Sequence, residues 1–515
     1  MMQQTNTASI SRRALLAAPA IIGLAAVGTA RAEPKPGGAL RVAAAANPSS
    51  LDPFTGRSGA DHVFLFPIFD RLIDWEPATL EARPGIAEFW SFTDPRTLVL
   101  SLRSGVRFHD GTACDAAAVK ANLERGMGDT RSSVKPDLGS IDTVEASGAD
   151  RVILHLKQPD TSLPLSLSDR AGMMFSPAAL AASGTNSDRM PVGTGPWKFV
   201  QWDNNNQVIL TRNPDYWRRD LPYLDGIQFK IIPELNTGLR SVVGGQNDLV
   251  YQVPSALIAA AKRDRSLVVE VGPSLSCNML YFNYGLGPMA QLPVRQAINY
   301  AIDRAAYSKL TTSSLGEAAG IILPSQHWAY DKEAASAYPF DPAKAKQLLA
   351  DAGFAAGVEI PAAAYSDQFS QQRMEIIMGM LEKVGIKLTL ETGTVADLNA
   401  KLIGGHRFGF NLSDWSGRPD PSVTYASVFE SDAFYNEGKI EGVPGIDAAI
   451  VATRQSSDLA VRKAEFAKLE RLERSGALFA PLAFAPQNVV HSPKVQGYVP
   501  NLLGKPRFDT VYLQS

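Results

Sequence analysis

The chain has 515 residues, and its 50 lysines and arginines against 52 aspartates and glutamates leave a formal charge of −2. That balance argues against a nucleic-acid binder, which needs a basic face to displace counterions. Two cysteines, Cys114 and Cys277, are too few for a disulfide scaffold, so they are expected as unpaired, buried thiols in a fold held by burial.

Residues 1–32 read as an export address. Ser11, Arg12 and Arg13 precede an apolar run over 14–30, interrupted by Pro19, Gly23 and Gly28, and the segment closes on Ala30-Arg31-Ala32. This is a charged region, a short apolar region and an A-x-A cleavage site. The paired arginines beside Leu15 and Leu16 point to the twin-arginine route. Small residues and helix breakers make the run a poor membrane span. Cleavage after Ala32 leaves 483 residues with 47 cationic against 52 acidic side chains, near −5. Neither cysteine ends the apolar run, so no lipid anchor is expected there. At about 150 residues per domain, the length suggests two to four units.

After a Pro/Gly-rich entry a strand is expected over 39–45, then the turn Asn47-Pro48-Ser49-Ser50. Strands over 97–102 and 105–108 lead to the turn His109-Asp110-Gly111-Thr112. A helix then buries Ala116, Val119 and Leu123, and a strand alternates Val152, Leu154 and Leu156, which makes a small α+β unit. Strand 227–232, helix 235–243 and strand 248–252 form a β-α-β run and predict a parallel sheet. Pro293 opens a helix with Val294, Ala297, Ile298, Ala301 and Ile302 on one face and its charges outward. Asp341-Pro342 caps another, which stops at Gly353. A helix over 370–384 ends at Gly385 and feeds a strand carrying Ile386, Leu388 and Leu390. A helix over 395–403 and a strand over 408–413 repeat the pattern, so this half is also α/β. Asp458 caps a charged helix to Arg474, and the tail is extended. No repeat of fixed period is present.

Catalytic signatures are absent from the sequence: there is no G-x-S-x-G, H-E-x-x-H, P-loop or G-x-G-x-x-G. Six histidines are scattered singly, without metal-ligand spacing. His109 beside Asp110 is the one tempting pair, yet neighbours on a turn point apart. Gly193-Thr194-Gly195-Pro196 reads as a tight turn, since Pro196 removes a donor a phosphate cradle would need. No catalytic residue, metal or cofactor is assigned.

Several blocks together resemble the family 5 extracytoplasmic solute-binding proteins of bacterial ABC importers. They are Ser50-Leu51-Asp52-Pro53; Ile86 through Trp90; Leu102 through Thr112; Pro191 through Trp197; Arg212 through Trp217; Tyr281-Phe282-Asn283; Val294 through Ala297; and Ala301 through Arg304. Hairpins, caps and an amphipathic helix account for most of them, so they are assigned to folding. The resemblance implies an α/β, two-lobed periplasmic binding protein fold, class II-like with a crossed hinge, and an extra α+β domain on the N-terminal lobe. The implied division is signal peptide 1–32, lobe I over 33–64, extra domain 65–189, lobe I again over 190–272, lobe II over 273–483, and a C-terminal return over 484–515.

The same resemblance implies a ligand buried between the lobes, near Ala45 and Asn47, Ser276 to Met279 (with Asn278), and Asn411 to Trp415 (with Ser413). Trp415 is the leading contact, as an aromatic face at a closing cleft. Peptide-binding relatives place an aspartate for the peptide's amino group shortly after this tryptophan. Here Arg418 stands at that position and favours a carboxylate or phosphate. A shift of one or two residues would give the amine Asp420 instead, and Arg418 would equally suit pairing with Asp414 or Asp420. The leading reading is a periplasmic, monomeric carrier for a small solute, peptide-like or anionic. It delivers to an inner-membrane ABC permease with its ATPase subunits, with no nucleic acid and no cofactor. The rivals are an exported hydrolase acting through His109 and Asp110, and an envelope scaffold or chaperone.

Overall fold

Three sheets organise the chain. The first has seven strands in the order Val268–Gly272, Gln487–His491, Leu249–Tyr251, Ala39–Ala44, Gly226–Ile231, Gln207–Arg212 and Trp197–Asp203. Ala39–Ala44 lies at its centre, parallel to both neighbours, as the β-α-β order through helix Leu235–Val243 requires. Period-two alternation lets this strand serve two cores. Leu40, Val42 and Ala44 pack with Phe64 and Phe229, while Ala43 packs with Val242, Val250 and Val490.

The described residues of the computed structural model are Pro34, 36–56, 58–393, Leu398, Lys401, 407–433, 435–436 and 438–514. The export segment 1–32, and the expected helix over 395–403 apart from Leu398 and Lys401, lie outside them. Lys35–Ser515 forms one compact unit. No helix among the described residues is long and apolar enough to cross a membrane.

The second sheet has six strands: Glu317–Ala318, Phe479–Phe484, Cys277–Phe282, Phe410–Trp415, Val358–Tyr365 and Ile386–Gly393. Helix Gln368–Glu382 joins two of them, and Gly385, at φ +91°, turns the chain into the last. The third sheet is antiparallel and four-stranded, ordered Ala87–Asp94, Thr97–Leu102, Arg151–Leu156 and Ile141–Ser147. Helix Ala116–Gly128 covers it with Val119 and Leu123.

The chain passes between the first two sheets twice, at 273–276 and at 485–486. The crossings bond to each other: Ala485 N–H donates to the Ser276 carbonyl (2.8 Å) and Ser274 Oγ to the Ala485 carbonyl (2.6 Å). These two lobes on a crossed pair of connections are the expected architecture.

Several local readings differ. Residues 105–108 form a turn with one bridge, Arg107 to Ala113, rather than a strand. Ala87–Asp94 is an edge strand whose alternation is blurred by exposed Glu88 and Phe89. Helix His62–Ile68 spans the expected boundary at 64/65 but packs wholly with the seven-stranded sheet, Phe64 against Phe229 at 4.9 Å between ring centroids. On helix Leu292–Ala301 the charge is not outward: Arg295 is buried and donates to the carbonyls of Gly476, Met289 and Ala290. Cys114 and Cys277 are free and buried in different cores.

Candidate functional site

A cavity of about 1580 Å³ lies where all three sheet units and both crossings meet. The first lobe contributes His62, the four-stranded unit Asp137, Asp160, Asp169 and Arg170, and the second lobe Asn278, Arg373, Asp414, Arg418 and Asp420. Ser274, Ser276, Ala485 and Pro486 come from the crossings, Gln487 and Asn488 from the strand that follows the second crossing, and Lys505 from the C-terminal return.

Most charges on its wall are already matched. Lys505 Nζ donates to Asp169 Oδ2 (2.8 Å), whose Oδ1 lies 2.7 Å from His62 Nε2. Burial alone would raise the Asp169 carboxyl, but His62 and Lys505 outweigh it and hold it well below the usual carboxylate range. Arg170 pairs with Asp61 at 3.2 Å and Arg373 with Asp414 at 3.0 Å. Arg418 differs. It gives one N–H to the Gly417 carbonyl (3.0 Å) and stacks 4.9 Å above the Trp415 ring, with no carboxylate at salt-bridge distance among the described residues.

Of the eight residues expected at the ligand, Asn278, Arg418 and Asp420 line the cavity and five do not. Asn47 instead fastens a hairpin, accepting from Trp202 Nε1 (3.0 Å) and the Asn205 N–H (2.9 Å). Met279 is fully buried in the second lobe's core; Asn278 beside it accepts from Tyr307 Oη at 3.2 Å. Asn411 is buried within its sheet, and Ser413 donates to Tyr365 Oη (3.3 Å). Trp415 is only 4% exposed. Its Nε1 donates to Thr424 Oγ1 (3.2 Å) and its ring meets Tyr435 edge-on, so it is a platform under Arg418 rather than a face for ligand.

Asp420 reaches the wall with its charge answered. Its Oδ1 takes Arg462 Nη2 (2.9 Å) and the Ser422 N–H (2.9 Å) and caps helix Pro421–Phe429. Arg462 thus holds the place on Oδ1 that the amine was expected to take. Sequence reasoning missed Asp137, Arg373 and Lys505. No local pattern marks Asp137 in its turn, and Arg373 on its helix reads as a solvated charge until the fold places Asp414 against it.

Three of the motif blocks, 102–112, 191–197 and 212–217, meet elsewhere, outside the cavity lining. The His109 N–H donates to the Gly193 carbonyl (2.9 Å) and its Nε2 to that of Gly195 (3.0 Å), which also takes Asn213 Nδ2 (3.1 Å). A Cβ on Gly193 would stand 2.1 Å from the Ile68 carbonyl oxygen, which is why only glycine fits. Asp110 turns away from His109 to Ser176 and Thr112. The hydrolase pair is thus a structural knot away from the cavity.

Two lobes joined by crossed connections over a cavity with charged side chains on its wall define a solute-binding protein. The model of bacterial extracellular solute-binding proteins, family 5 Middle, matches residues 81–436, and the chain belongs to that family. It is 29% identical over 350 residues to the glutathione-binding protein GsiB of Escherichia coli O1:K1 / APEC, covering 67% of this chain and 68% of that protein. Among solved structures it is similar to the ABC transporter-associated periplasmic binding protein DppA from Helicobacter pylori in complex with the peptide STSA. The TM-score is 0.81 at 24% identity, covering 93% of this chain and 99% of that one. The binding protein AgaA from A. tumefacien R10, in complex with agropinic acid, matches with the same TM-score, identity and coverage. These likenesses establish the two-lobed fold.

Proposed function

We propose that this protein captures a solute bearing a carboxylate or phosphate between its lobes and delivers it, as a diffusing periplasmic monomer, to an inner-membrane ABC permease and its ATPase subunits. The observation that carries the reading is Arg418. Its guanidinium lines the cavity, is held over Trp415, and spends a single hydrogen bond on the backbone. The remaining N–H groups suit a bidentate anion. The family's lobes close around ligand only when it binds the closed state more tightly than the open one. The named relatives bind glutathione, a peptide and agropinic acid, all of which carry carboxylates. Residues 1–32 supply the route out of the cytoplasm, through the paired Arg12 and Arg13.

Native mass spectrometry of the purified protein identifies a co-purified solute, and calorimetry on protein stripped by unfolding and refolding measures its affinity. With glutathione and with the identified solute, Arg418→Ala is expected to weaken binding by about 2 kcal/mol, roughly 30-fold, as for loss of a charged hydrogen bond. Unchanged affinity removes Arg418 from the site. Small-angle scattering should show compaction at saturation, and an unchanged profile defeats the closure mechanism.

A further inference from the structure

Among the described residues, five lysine and arginine side chains line the cavity: Arg170, Arg373, Arg418, Arg454 and Lys505. Three are ion-paired, Arg170 with Asp61 at 3.2 Å, Arg373 with Asp414 at 3.0 Å and Lys505 with Asp169 at 2.8 Å. Arg418 and Arg454 have no carboxylate at salt-bridge distance among the described residues. Both flank the start of helix Pro421–Phe429: Arg418 comes two positions before its cap, Asp420, and Arg454 Nη2 donates to the carbonyl of Ser422 in its first turn (3.0 Å). Asp420 itself is answered by Arg462 (2.9 Å) and the Ser422 N–H (2.9 Å). Arg454 Nε is buried without a hydrogen-bond partner.

Asp137, Asp160 and Glu430 also line the wall without an ion pair. A closing cleft treats them differently from the arginines. A carboxylate that loses its water can take a proton and become neutral, whereas a guanidinium keeps its charge. Burial pushes the Asp137 carboxyl up to about 6 and raises that of Glu430, against the pull of Arg418 on the one and Arg454 on the other. Asp160 takes the Ser162 N–H (3.0 Å) and the Ser162 hydroxyl. The two guanidiniums are therefore the charges that closure leaves for a ligand to answer. A single carboxylate on Arg418 would leave Arg454, with its orphaned Nε, as an unmatched charge in a drying site, which is costly.

Building on the assignment of Arg418 to an anionic group, we propose that the ligand is a diacid, with one carboxylate on the Arg418 guanidinium and the second on that of Arg454. Each guanidinium can meet its carboxylate through two N–H groups. The recognised class is a dicarboxylate, or a larger solute carrying two acid groups at the spacing of these side chains, and it needs no amino group. Arg454 also joins the second acid to the contact between units, because its own carbonyl takes the Thr161 N–H (2.8 Å) and hydroxyl (2.9 Å). The second carboxylate is thus read at the segment where the four-stranded unit touches the second lobe.

Calorimetry on protein stripped by unfolding and refolding tests this with succinate, glutarate, adipate and pimelate, each beside its monoamide and its diamide. At least one diacid is expected to bind, with its monoamide roughly tenfold or more weaker, as for loss of a charged hydrogen bond. Arg454→Gln should weaken that diacid by the same factor and leave its monoamide within about threefold, because the remaining acid keeps Arg418. If monoamides bind the unaltered protein as tightly as the diacids, Arg454 is not a ligand contact, while the anionic reading of Arg418 stands. Diamides binding as well as diacids would overturn both assignments. A panel in which no diacid binds overturns the two-acid class. A variant that loses diacid and monoamide alike makes Arg454 structural and removes it from the ligand. Because diacid and monoamide are compared on the unaltered protein, misfolding of a variant cannot rescue the proposal.

Discussion

Thr161 donates its backbone N–H and its hydroxyl to the Arg454 carbonyl, at 2.8 and 2.9 Å, and the same hydroxyl lies 2.8 Å from the Ser456 carbonyl. These bonds join the four-stranded unit to the connection that precedes helix Leu459–Gly476 in the second lobe. Asp160, Ser162 and Arg454 around them line the cavity, so the contact ties two of its walls together. Thr161→Val keeps the shape and the N–H but removes the hydroxyl. Net loss of one hydrogen bond is worth about 1 kcal/mol, so ligand dissociation should speed up about fivefold with little change in association. Stopped-flow release of bound solute measures this, and an unaltered off-rate would mean the contact plays no part in closure.

His109 ties stability to pH. Its Nε2 donates to Gly195 while Nδ1 is buried without a partner, so the neutral ring fits and the charged ring does not. Burial lowers its pKa to about 4, and burial does the same to His62 and His327. A histidine depressed on folding takes up its proton more readily when unfolded. Its contribution is therefore complete above about pH 6.5 and is lost as pH falls from there towards 4. By pH 5 each ring should cost on the order of 2 kcal/mol. Urea melts at pH 7 and pH 5 should show that loss, and His109→Gln should remove about a third of it while solute affinity at pH 7 is retained. An unchanged pH slope in the variant would clear His109 of the effect.

The paired arginines before the apolar run are expected to be indispensable for export. Replacing Arg12 and Arg13 together by lysine keeps the charge of the segment and removes only the guanidinium pair. The unprocessed chain should then accumulate in the cytoplasm, with the periplasmic fraction falling at least tenfold, measured by fractionation and N-terminal sequencing. Normal processing of the lysine variant would point to the general secretory route.

Local patterns recovered the elements whose causes are local. Helix Leu235–Val243 and strand Thr97–Leu102 have the bounds their periodicity implies, and Gly353 and Gly385 end helices at φ +90° and +91° as left-handed residues. The failures share a different cause. Arg295 counts as an outward charge in any periodicity argument, yet carbonyls from a chain segment about 180 residues away draw it inside. Met279 belongs to a strand buried on both faces, where alternation no longer tells cleft from core, and Trp415 ends the neighbouring strand, buried beside exposed Asp414. Asp137 and Arg418 stand 281 positions apart in the sequence, and only the meeting of two separate units makes them members of one site.

Asp420 offers the clearest separation of a structural carboxylate from a ligand contact. It is 1% exposed, paired with Arg462 and bonded to Ser422 at the start of helix Pro421–Phe429. Burial works to raise its carboxyl, but Arg462 and Ser422 win and its pKa is lowered. A depressed carboxylate stabilises the fold above its unfolded value, about 3.9, and loses that contribution only as pH falls below it. Asp420→Ala leaves the Arg462 guanidinium buried without its counterion, which should cost about 3–5 kcal/mol and lower the melting temperature by more than 5 °C. Asp420→Asn keeps the cap at part of that cost. Its Oδ2 has no hydrogen-bond partner, so a ligand amine seated there would make the asparagine variant lose affinity out of proportion to stability. Calorimetry on folded Asp420→Asn should instead find solute affinity within about threefold of the unaltered protein, a change of roughly 0.6 kcal/mol. A loss beyond tenfold would make Asp420 a ligand contact.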